Sequence, residues 1–379
     1  MQKIFDFVDK LLSESIPATP AWNIEHTLFS KASKWNYIDG CMIKAVLDLF
    51  YATGEQRYFD FVKNFIDYYV SDDGTILGYS VDEYNCDNIN MGKVLFDLHK
   101  ATGEEKYKKA INLLYLQLQS HPRIEAGNFW HKKIYPNQVW LDGLYMVQPF
   151  YMDYEMRFNG RKNYQDIFRQ FKNVFEIMRD KKSGLFYHGY DESRQMFWSD
   201  KTTGLSKNFW TRSIGWYTMA LVDTAEKLDE QFFYEYEILQ YHLKETLDAL
   251  LKFADPTTKM FYQVTNSHGR EGNYLETSGS CAIAYSLMKG ARLGYLPQYY
   301  FNYGREIFDS VVRHKLTQEP FALKDICLIA GLGGMPGKGD YKLRDGAYEY
   351  YISEPRVNND AKGVAPFLFA FCEIYRENL

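Results

Sequence analysis

The chain has 379 residues, of which 46% are hydrophobic and 25% charged, with a formal net charge of −5. It is long enough to bury a large core, and its scattered Lys and Arg residues do not provide the basic surface that nucleic-acid binding requires. No apolar run of about 18 residues occurs, so we expect no membrane span. We predict a single domain over residues 1–379.

The N-terminal residues, 1–12, place apolar side chains at helical spacing among charged ones. This stretch has no uninterrupted apolar core and no small-residue cleavage site, so it predicts an amphipathic helix rather than a secretion signal. The five cysteines lie far apart without a C-x-x-C pair, and an odd number argues against a disulfide framework. These features predict a cytoplasmic protein with buried free thiols.

A short turn repeats along the chain. Ala-Thr-Gly-Glu occurs at residues 52–55 and again at residues 101–104, so that Gly103 follows Gly54 by 49 residues. Each copy follows an apolar-periodic helix, where glycine can take the left-handed conformation, and precedes a second helix. Two helices and their turns fit this spacing, which therefore predicts repeated helical hairpins.

Six segments share polar residues and a glycine immediately before an apolar helix. They are residues 35–40, 87–92, 140–143, 210–216, 275–280 and 358–363. Their recurrence predicts six inner helices whose N-termini open at one end, which describes an all-α fold, an (α/α)6 barrel of six helical hairpins. N-capping alone explains an acid at each start, but it does not explain the tryptophans and Arg212 found there. Six N-termini around one mouth also favour an anionic ligand.

Between these helices the sequence predicts little strand. Only residues 184–190 and 260–264 have the composition of short extended segments. The glycine-rich residues 331–339 lack the preceding strand and the Gly-Lys-Ser/Thr ending of a phosphate-binding loop, so we predict a mobile loop at the rim.

Asp87 and Asp142 are the candidate catalytic carboxylates, because they begin consecutive inner helices and should face each other across the mouth. Two close carboxylates raise the pKa of one of them, and the aromatic residues beside Asp142 add desolvation in the same direction. We therefore predict one protonated and one ionised carboxyl. For Asp87 simple N-capping is an equally good explanation.

Basic and aromatic residues accompany these acids. His131 and His188 stand in polar, aromatic connections, and neither has a partner at the spacing of metal ligands, so no metal is expected. Arg212, between Trp210 and Trp216, combines a bidentate carboxylate donor with ring faces, although a buried structural ion pair is the alternative.

Taken together, these segments resemble glycoside hydrolase family 105, the unsaturated rhamnogalacturonyl hydrolases. The similar segments are residues 129–136, 140–146, 188–191, 210–217, 275–280, 350–355 and 359–364. They span almost the whole chain in order, and the resemblance independently implies an (α/α)6 barrel. Tyr190 and Ala361 differ from the indole and the proline frequent at those places, which leaves the substrate preference open.

The resemblance implies a substrate whose terminal uronic acid carries a C4=C5 double bond. Asp142 would protonate C4 and then activate the water that adds at C5, after which the hemiketal opens and the glycosidic bond breaks. Asp87 would bind ring hydroxyls and tune Asp142. The residues predicted to bind substrate are Tyr37, His131, Lys133, His188, Trp210, Arg212 and Trp216. Of these, Arg212 and His188 would lie near the uronate.

No cofactor is expected, and the predicted partner is a small unsaturated oligosaccharide, with no nucleic acid and no membrane. A monomer and a homodimer fit the sequence equally well. The same barrel could instead act on an unsaturated glucuronyl oligosaccharide or on a saturated glycoside, or could abstract protons as a polysaccharide lyase. A peptide-binding helical scaffold is a further alternative, but it predicts shorter repeats and a regular surface stripe.

Overall fold

The computed structural model describes residues 1–30, 34–333 and 343–378, and the chain in these ranges is mainly helical. The helices are α1 (Gln2–Ser13), α2 (Ile24–Phe29), α3 (Tyr37–Thr53), α4 (Gln56–Tyr69), α5 (Leu95–Thr102), α6 (Glu105–Ser120), α7 (Leu141–Arg157), α8 (Tyr164–Ile177), α9 (Thr211–Ala225), α10 (Phe233–Leu251), α11 (Thr277–Arg292), α12 (Tyr299–His314), α13 (Tyr348–Ile352) and α14 (Ala361–Glu377). Residues 334–339 of the predicted rim loop lie outside the described residues.

Three two-stranded antiparallel ribbons lie in the connections. They pair β1 (Gln138–Trp140) with β2 (Gly189–Asp191), β3 (Leu316–Gln318) with β4 (Phe321–Leu323), and β5 (Ile326–Cys327) with β6 (Arg356–Val357). The first extended segment predicted from sequence, residues 184–190, thus overlaps β2. Residues in the second, 260–264, form only isolated bridges to neighbouring segments.

Six helical segments form a closed inner ring. In order around it are α3, the 3-10 segment Cys86–Val94 that continues into α5, then α7, α9, α11 and α14, and α14 packs against α3. The helices α4, α6, α8, α10 and α12 each follow an inner partner along the chain and form the outer layer. Every residue of α9 is buried, as expected for a helix between two layers. The predicted (α/α)6 barrel is confirmed.

The sixth hairpin is made by the two ends of the chain. The N-terminal helix α1 lies against α14, where Phe5 meets Phe371 edge to face with ring centroids 5.2 Å apart. Phe7 meets Phe367 in the same way at 6.5 Å. The amphipathic pattern of residues 1–12 thus supplies the missing outer helix, whose apolar stripe is buried in the core of the barrel.

The second inner segment differs from the prediction of a regular helix beginning at Asp87. Residues Cys86–Val94 form a nine-residue 3-10 helix before α5 begins. Its sequence contains two asparagines and two β-branched residues, which are weak helix formers. It also approaches α3 closely, since a Cβ on Gly40 would lie 2.8 Å from backbone atoms of Met91. Long 3-10 stretches are uncommon and often mark functional places.

Several smaller predictions are confirmed. Gly54 and Gly103 end α3 and α5 in the left-handed conformation, with φ of 74° and 70°. All five cysteines are buried and free. In the part of the chain that the structure describes, no helix combines the length and the apolar composition needed to cross a bilayer.

Candidate active site

A cavity of about 380 Å³ opens at the end of the barrel where the inner helices begin. One wall comes from residues 20–26 and 34–39, a second from residues 85–88 and 131–146, and a third from residues 329–331 with Arg344. Four of the predicted site residues line it, namely Tyr37, Asp87, His131 and Asp142. The convergence of acids, bases and rings in this hollow at the mouth makes it the candidate active site.

The position of Asp142 follows from the first ribbon. Trp140 at the end of β1 pairs with Gly189 of β2, and the amide of Leu141 donates to the carbonyl of His188. A Cβ on Gly189 would lie 2.5 Å from a methyl carbon of Leu332 and 3.2 Å from Trp140, so any other residue here would require these side chains to shift. The ribbon therefore brings two segments that are far apart in sequence to the same wall, with Asp142 and His188 side by side.

The carboxylate of Asp142 stands in the first turn of α7, where no side chain caps the helix. Its Oδ2 atom lies 3.3 Å from Nε2 of His188, a close contact that is not aligned as a hydrogen bond. Burial is the largest single influence and raises the pKa of Asp142, but the imidazoles of His188 and His131 and a backbone N–H together outweigh it, and the pKa lies below its usual value. The free helix N-terminus acts in the same direction.

This result corrects the prediction that one of the two acids has a raised pKa. The argument from sequence assumed that carboxylate repulsion and desolvation would dominate at Asp142. It did not include an imidazole brought to that carboxyl from residue 188 by the ribbon. Without a ligand, Asp142 is therefore ionised at neutral pH.

Asp87 lies in the 3-10 segment and is held by two basic side chains. Its Oδ2 atom is 2.7 Å from Nζ of Lys132, and its Oδ1 atom is 3.6 Å from Nε2 of His131. Although burial lowers the pKa of Lys132, the charge of Asp87 raises it above its usual value. Burial lowers the pKa of His131 to about 4, so this imidazole is neutral at neutral pH.

Aromatic rings form the second wall. Trp140 is stacked between His131 and Tyr135, with centroid distances of 4.5 Å and 5.1 Å and nearly parallel planes. The edge of the same indole faces His188 at 5.5 Å. Tyr135 and Trp140 both line the cavity and can present ring faces to a sugar.

Two predicted residues lie outside the cavity. Lys133 is exposed, with Nζ 3.4 Å from the carbonyl of Asp82 and 5.3 Å from the centroid of Tyr84, so its neighbour Lys132 takes the place predicted for it. Trp216 is buried in the barrel core, stacked on Tyr145 at 4.9 Å. Both predictions are corrected, because side-chain direction in a loop or along a helix is set by packing that the sequence does not show.

Three further predicted residues lie directly behind the cavity. His188 and Trp210 contact each other with ring centroids 4.8 Å apart, and both are buried. The guanidinium of Arg212 lies over Trp210 and donates to the carbonyl of Cys327 at 2.5 Å and to the hydroxyl of Ser278 at 3.3 Å. These residues can pack against the wall from behind and contribute the positive charge of Arg212, but they do not line the cavity.

Tyr351, which lies behind this wall, was not among the predicted site residues. The hydroxyl of Tyr351 lies 2.8 Å from Nδ1 of His188, and this phenol is fully buried. If the O–H donates to Nδ1, the remaining proton of the neutral ring must sit on Nε2, which faces Asp142. The tyrosine belongs to one of the segments that carry the family resemblance, but nothing in the sequence places it beside residue 188.

Within the described ranges no three His, Cys, Asp or Glu side chains stand close enough together to hold a metal ion. Each of the two carboxylates of the wall instead contacts basic side chains. Asp142 faces His188, and Asp87 faces Lys132 and His131. Such an arrangement suits proton transfer and the binding of a polar ligand.

Comparison with known sequences identifies the family. The model of Glycosyl Hydrolase Family 88 matches residues 10–378. Protein Atu3128 from Agrobacterium fabrum is 35% identical over 238 residues, which are 60% of this chain and 97% of that protein. The unsaturated rhamnogalacturonyl hydrolase YesR from Bacillus subtilis is 24% identical over 265 residues, or 68% of this chain and 72% of YesR.

Solved structures support the same family assignment. A family 105 glycoside hydrolase from C. acetobutylicum has a TM-score of 0.86 and 41% identity, over 98% of this chain and 99% of that one. The unsaturated glucuronyl hydrolase from Bacillus sp. GL1 shares the fold, with a TM-score of 0.63 and 12% identity over 90% and 87% of the two chains. The resemblance seen in the sequence is confirmed. The chain is therefore a glycoside hydrolase that belongs to Glycosyl Hydrolase Family 88 and is similar along its whole length to a family 105 enzyme.

Proposed function

We propose that the enzyme removes the terminal 4,5-unsaturated uronyl residue from short oligosaccharides by hydrating its C4=C5 double bond. The observation that carries this proposal is the carboxylate of Asp142, which lies on the cavity wall and is oriented by His188. Hydration of an enol ether needs one carboxyl that gives a proton and then helps water to attack. Direct hydrolysis would instead need two carboxyls on either side of an anomeric carbon.

The reaction balances with one water molecule. Asp142 gives its proton to C4, and the electrons of the double bond and the ring oxygen leave an oxocarbenium-like centre at C5. Water adds at C5 and returns a proton to Asp142. The C5 hemiketal then opens by breaking the bond to the ring oxygen, which leaves a hemiacetal at C1. This hemiacetal releases the second sugar as an alcohol.

The lowered pKa of Asp142 in the free enzyme is compatible with this role. A bound uronate brings a second negative charge into the cavity, and a like charge raises the pKa of a nearby carboxyl. Substrate binding therefore favours uptake of the proton that Asp142 must donate. Lys132, which is paired with Asp87, supplies positive charge at the same wall.

The remaining residues receive supporting roles in this proposal. Tyr37, Tyr135 and Trp140 present rings to the sugars, and Asp87 and His131 bind hydroxyl groups. Arg212 and Trp210 act from behind the wall, through His188 and the charge of the guanidinium.

For the substrate we propose an unsaturated galacturonyl-rhamnose disaccharide derived from rhamnogalacturonan, the class of substrate in the name of YesR. Elimination removes the C4 and C5 stereocentres, so galacturonyl and glucuronyl residues give the same unsaturated ring and differ only in their linkage. The wall from residues 20–26 and 34–39 then decides specificity, because it lines the rest of the cavity. The buried free thiols support a reducing, cytoplasmic location.

The test follows the ultraviolet absorbance of the conjugated double bond. We expect the absorbance to fall when the enzyme meets the unsaturated galacturonyl-rhamnose disaccharide, and more slowly with an unsaturated glucuronyl disaccharide. Faster loss with the glucuronyl compound would keep the mechanism and reverse the specificity. If neither compound loses absorbance while a saturated glycoside is cleaved, the hydration mechanism is rejected.

Tyr351→Phe tests how Asp142 is controlled. Without the phenol, His188 is no longer fixed with Nε2–H towards Asp142, so the pKa of Asp142 should rise towards the value that burial favours. The carboxyl then stays protonated to higher pH, and the alkaline limb of kcat/KM should move to higher pH while kcat falls about tenfold.

The matched control is Tyr217→Phe, which removes a buried hydroxyl that has no hydrogen-bond partner among the described residues. We expect its pH profile to match that of the wild type. A profile of Tyr351→Phe that differs from the wild type only in amplitude would show that the tyrosine has a purely structural role.

A further inference from the structure

The wall that carries His131 encloses a second, much smaller space of about 10 Å³. Every residue around it is buried, and those that matter here are Cys86, His131, Gly143, Gln148 and Gln170. Its size corresponds to a single water molecule. It lies behind the active-site wall and is separate from the substrate cavity.

Two polar atoms on the lining of this space have no hydrogen-bond partner among the described residues. They are Nδ1 of His131 and Oε1 of Gln148, and both side chains are at most 3% exposed. Leaving such atoms unpaired costs roughly 1–3 kcal/mol each. A buried pair of this kind is therefore the place where an ordered water is expected.

The orientation of Gln148 is fixed by its neighbours. Its amide nitrogen donates to Oε1 of Gln170 at 3.2 Å, and that oxygen also accepts from the amide of Phe129. The nitrogen of Gln170 donates in turn to Asp166, which Arg123 holds by two hydrogen bonds of 2.9 Å and 2.8 Å. Gln148 must therefore present its carbonyl oxygen, an acceptor, to the small space.

His131 presents an acceptor as well. Its Nε2 atom faces the carboxylate of Asp87 at 3.6 Å, which favours the proton on Nε2 and leaves Nδ1 with a lone pair. Two acceptors cannot bond to each other. A water between them can donate one hydrogen to each, and its size matches the volume.

We propose that a structural water bridges Nδ1 of His131 and Oε1 of Gln148, and that Gln148 and Gly143 are positioning residues for the active site. The water holds the His131 ring, stacked on Trp140, with Nε2–H towards Asp87. Gly143 leaves space for the water, because a Cβ at this residue would lie 3.1 Å from Nδ1 of His131. The catalytic consequence rests on the function proposed above, whereas the water itself does not.

The first experiment is a crystal structure of the unmodified protein. We expect density for one ordered water at about 2.7–3.2 Å from both atoms. A well-ordered structure without this water, or with the two side chains in direct contact, overturns the proposal. This outcome is independent of turnover, so it is distinguishable from failure of the proposed function.

The second experiment removes the water in two ways. Gly143→Ala fills the space with a methyl group while replacing glycine by the best helix former in the first turn of α7, so the helix itself is not weakened. Gln148→Met removes the acceptor at similar length. Both are expected to lower kcat/KM about tenfold, and both should move the ¹⁵N resonance of the His131 Nδ1 atom in histidine-labelled protein.

Thr224→Val is the matched control, because it alters a buried side chain without a hydrogen-bond partner on α9, near the end of that helix away from the mouth. Its His131 ¹⁵N resonance should stay at the position found in the wild type. Its kcat/KM should stay within twofold of the wild-type value. If Gly143→Ala and Gln148→Met leave the resonance where Thr224→Val leaves it, the water does not hold His131. Loss of turnover without movement of the resonance likewise counts against the proposal.

Discussion

Asp142→Asn is expected to lower kcat for the unsaturated disaccharide at least about 1,000-fold, with little change in KM, since general acid–base catalysis contributes up to about 10,000-fold. The amide keeps the shape of the carboxyl and its place 3.3 Å from His188. It can neither protonate C4 nor accept a proton from water. The absorbance assay at saturating substrate measures kcat, and equilibrium binding of the disaccharide checks that the site still forms.

Asp153→Asn is the control for this variant. Asp153 lies on the same helix, α7, near its other end, and is paired with Arg157 rather than with any group of the cavity. Turnover per folded molecule should be unchanged in it. If Asp142→Asn binds the disaccharide and keeps its turnover, the acid is another residue. Asp87, the second carboxylate of the wall, would then be changed to asparagine in the same assay.

The sequence was informative where the relevant residues are contiguous or repeated. Trp140 and Asp142 belong to one segment at the start of an inner helix, and the six similar starts predicted the ring of helices. Both signals are local, because helix periodicity and capping depend on neighbouring residues. For the same reason the pattern at residues 1–12 predicted a helix without showing that it would complete the sixth hairpin.

The parts that the sequence did not predict depend on contacts between distant segments. The β1–β2 ribbon brings His188 to Asp142, and only then does the pKa of Asp142 fall rather than rise. Tyr351 reaches His188 across 163 residues of sequence. Neither pairing produces a pattern in the neighbouring sequence. Each depends on how distant connecting segments pack together at the mouth of the barrel.

Errors of side-chain direction have a different cause. Lys132 and Lys133 are adjacent and chemically identical, yet only the first faces the cavity, because the backbone turns between them at the bridge to Asn85. Trp216 lies about one and a half turns into α9, where the inner helix faces Tyr145 instead of the mouth. Beyond the first turn of a helix, proximity in sequence to a functional residue therefore does not predict whether a side chain faces the cavity.

Lys362→Met is expected to reduce the free energy of unfolding by about 3–5 kcal/mol, because it removes one partner of a buried ion pair. The ammonium of Lys362 lies 2.8 Å from Glu25 and 3.2 Å from Asp360, and all three side chains are buried. Without the cation, two carboxylates remain in the protein interior. Equilibrium urea unfolding measures the change.

A surface pair provides the comparison for this variant. Lys10 and Glu14 lie 3.6 Å apart on α1, with about half of each side chain exposed. Lys10→Met should cost less than about 1 kcal/mol, as exposed ion pairs do. An equally small loss in Lys362→Met would mean that the acids around Lys362 are already neutral in the folded protein.

The double variant Glu25→Gln with Lys362→Met separates the cost of an unpaired charge from the value of the pair. Replacing both partners leaves no buried Glu25 charge, so the double variant should recover a large part of the stability lost in Lys362→Met. Glu25 lies on α2 and also lines the cavity, whereas Lys362 is the second residue of α14. The pair therefore joins the last inner helix to the wall that is proposed to select the second sugar, and its loss should raise KM as well as lower stability.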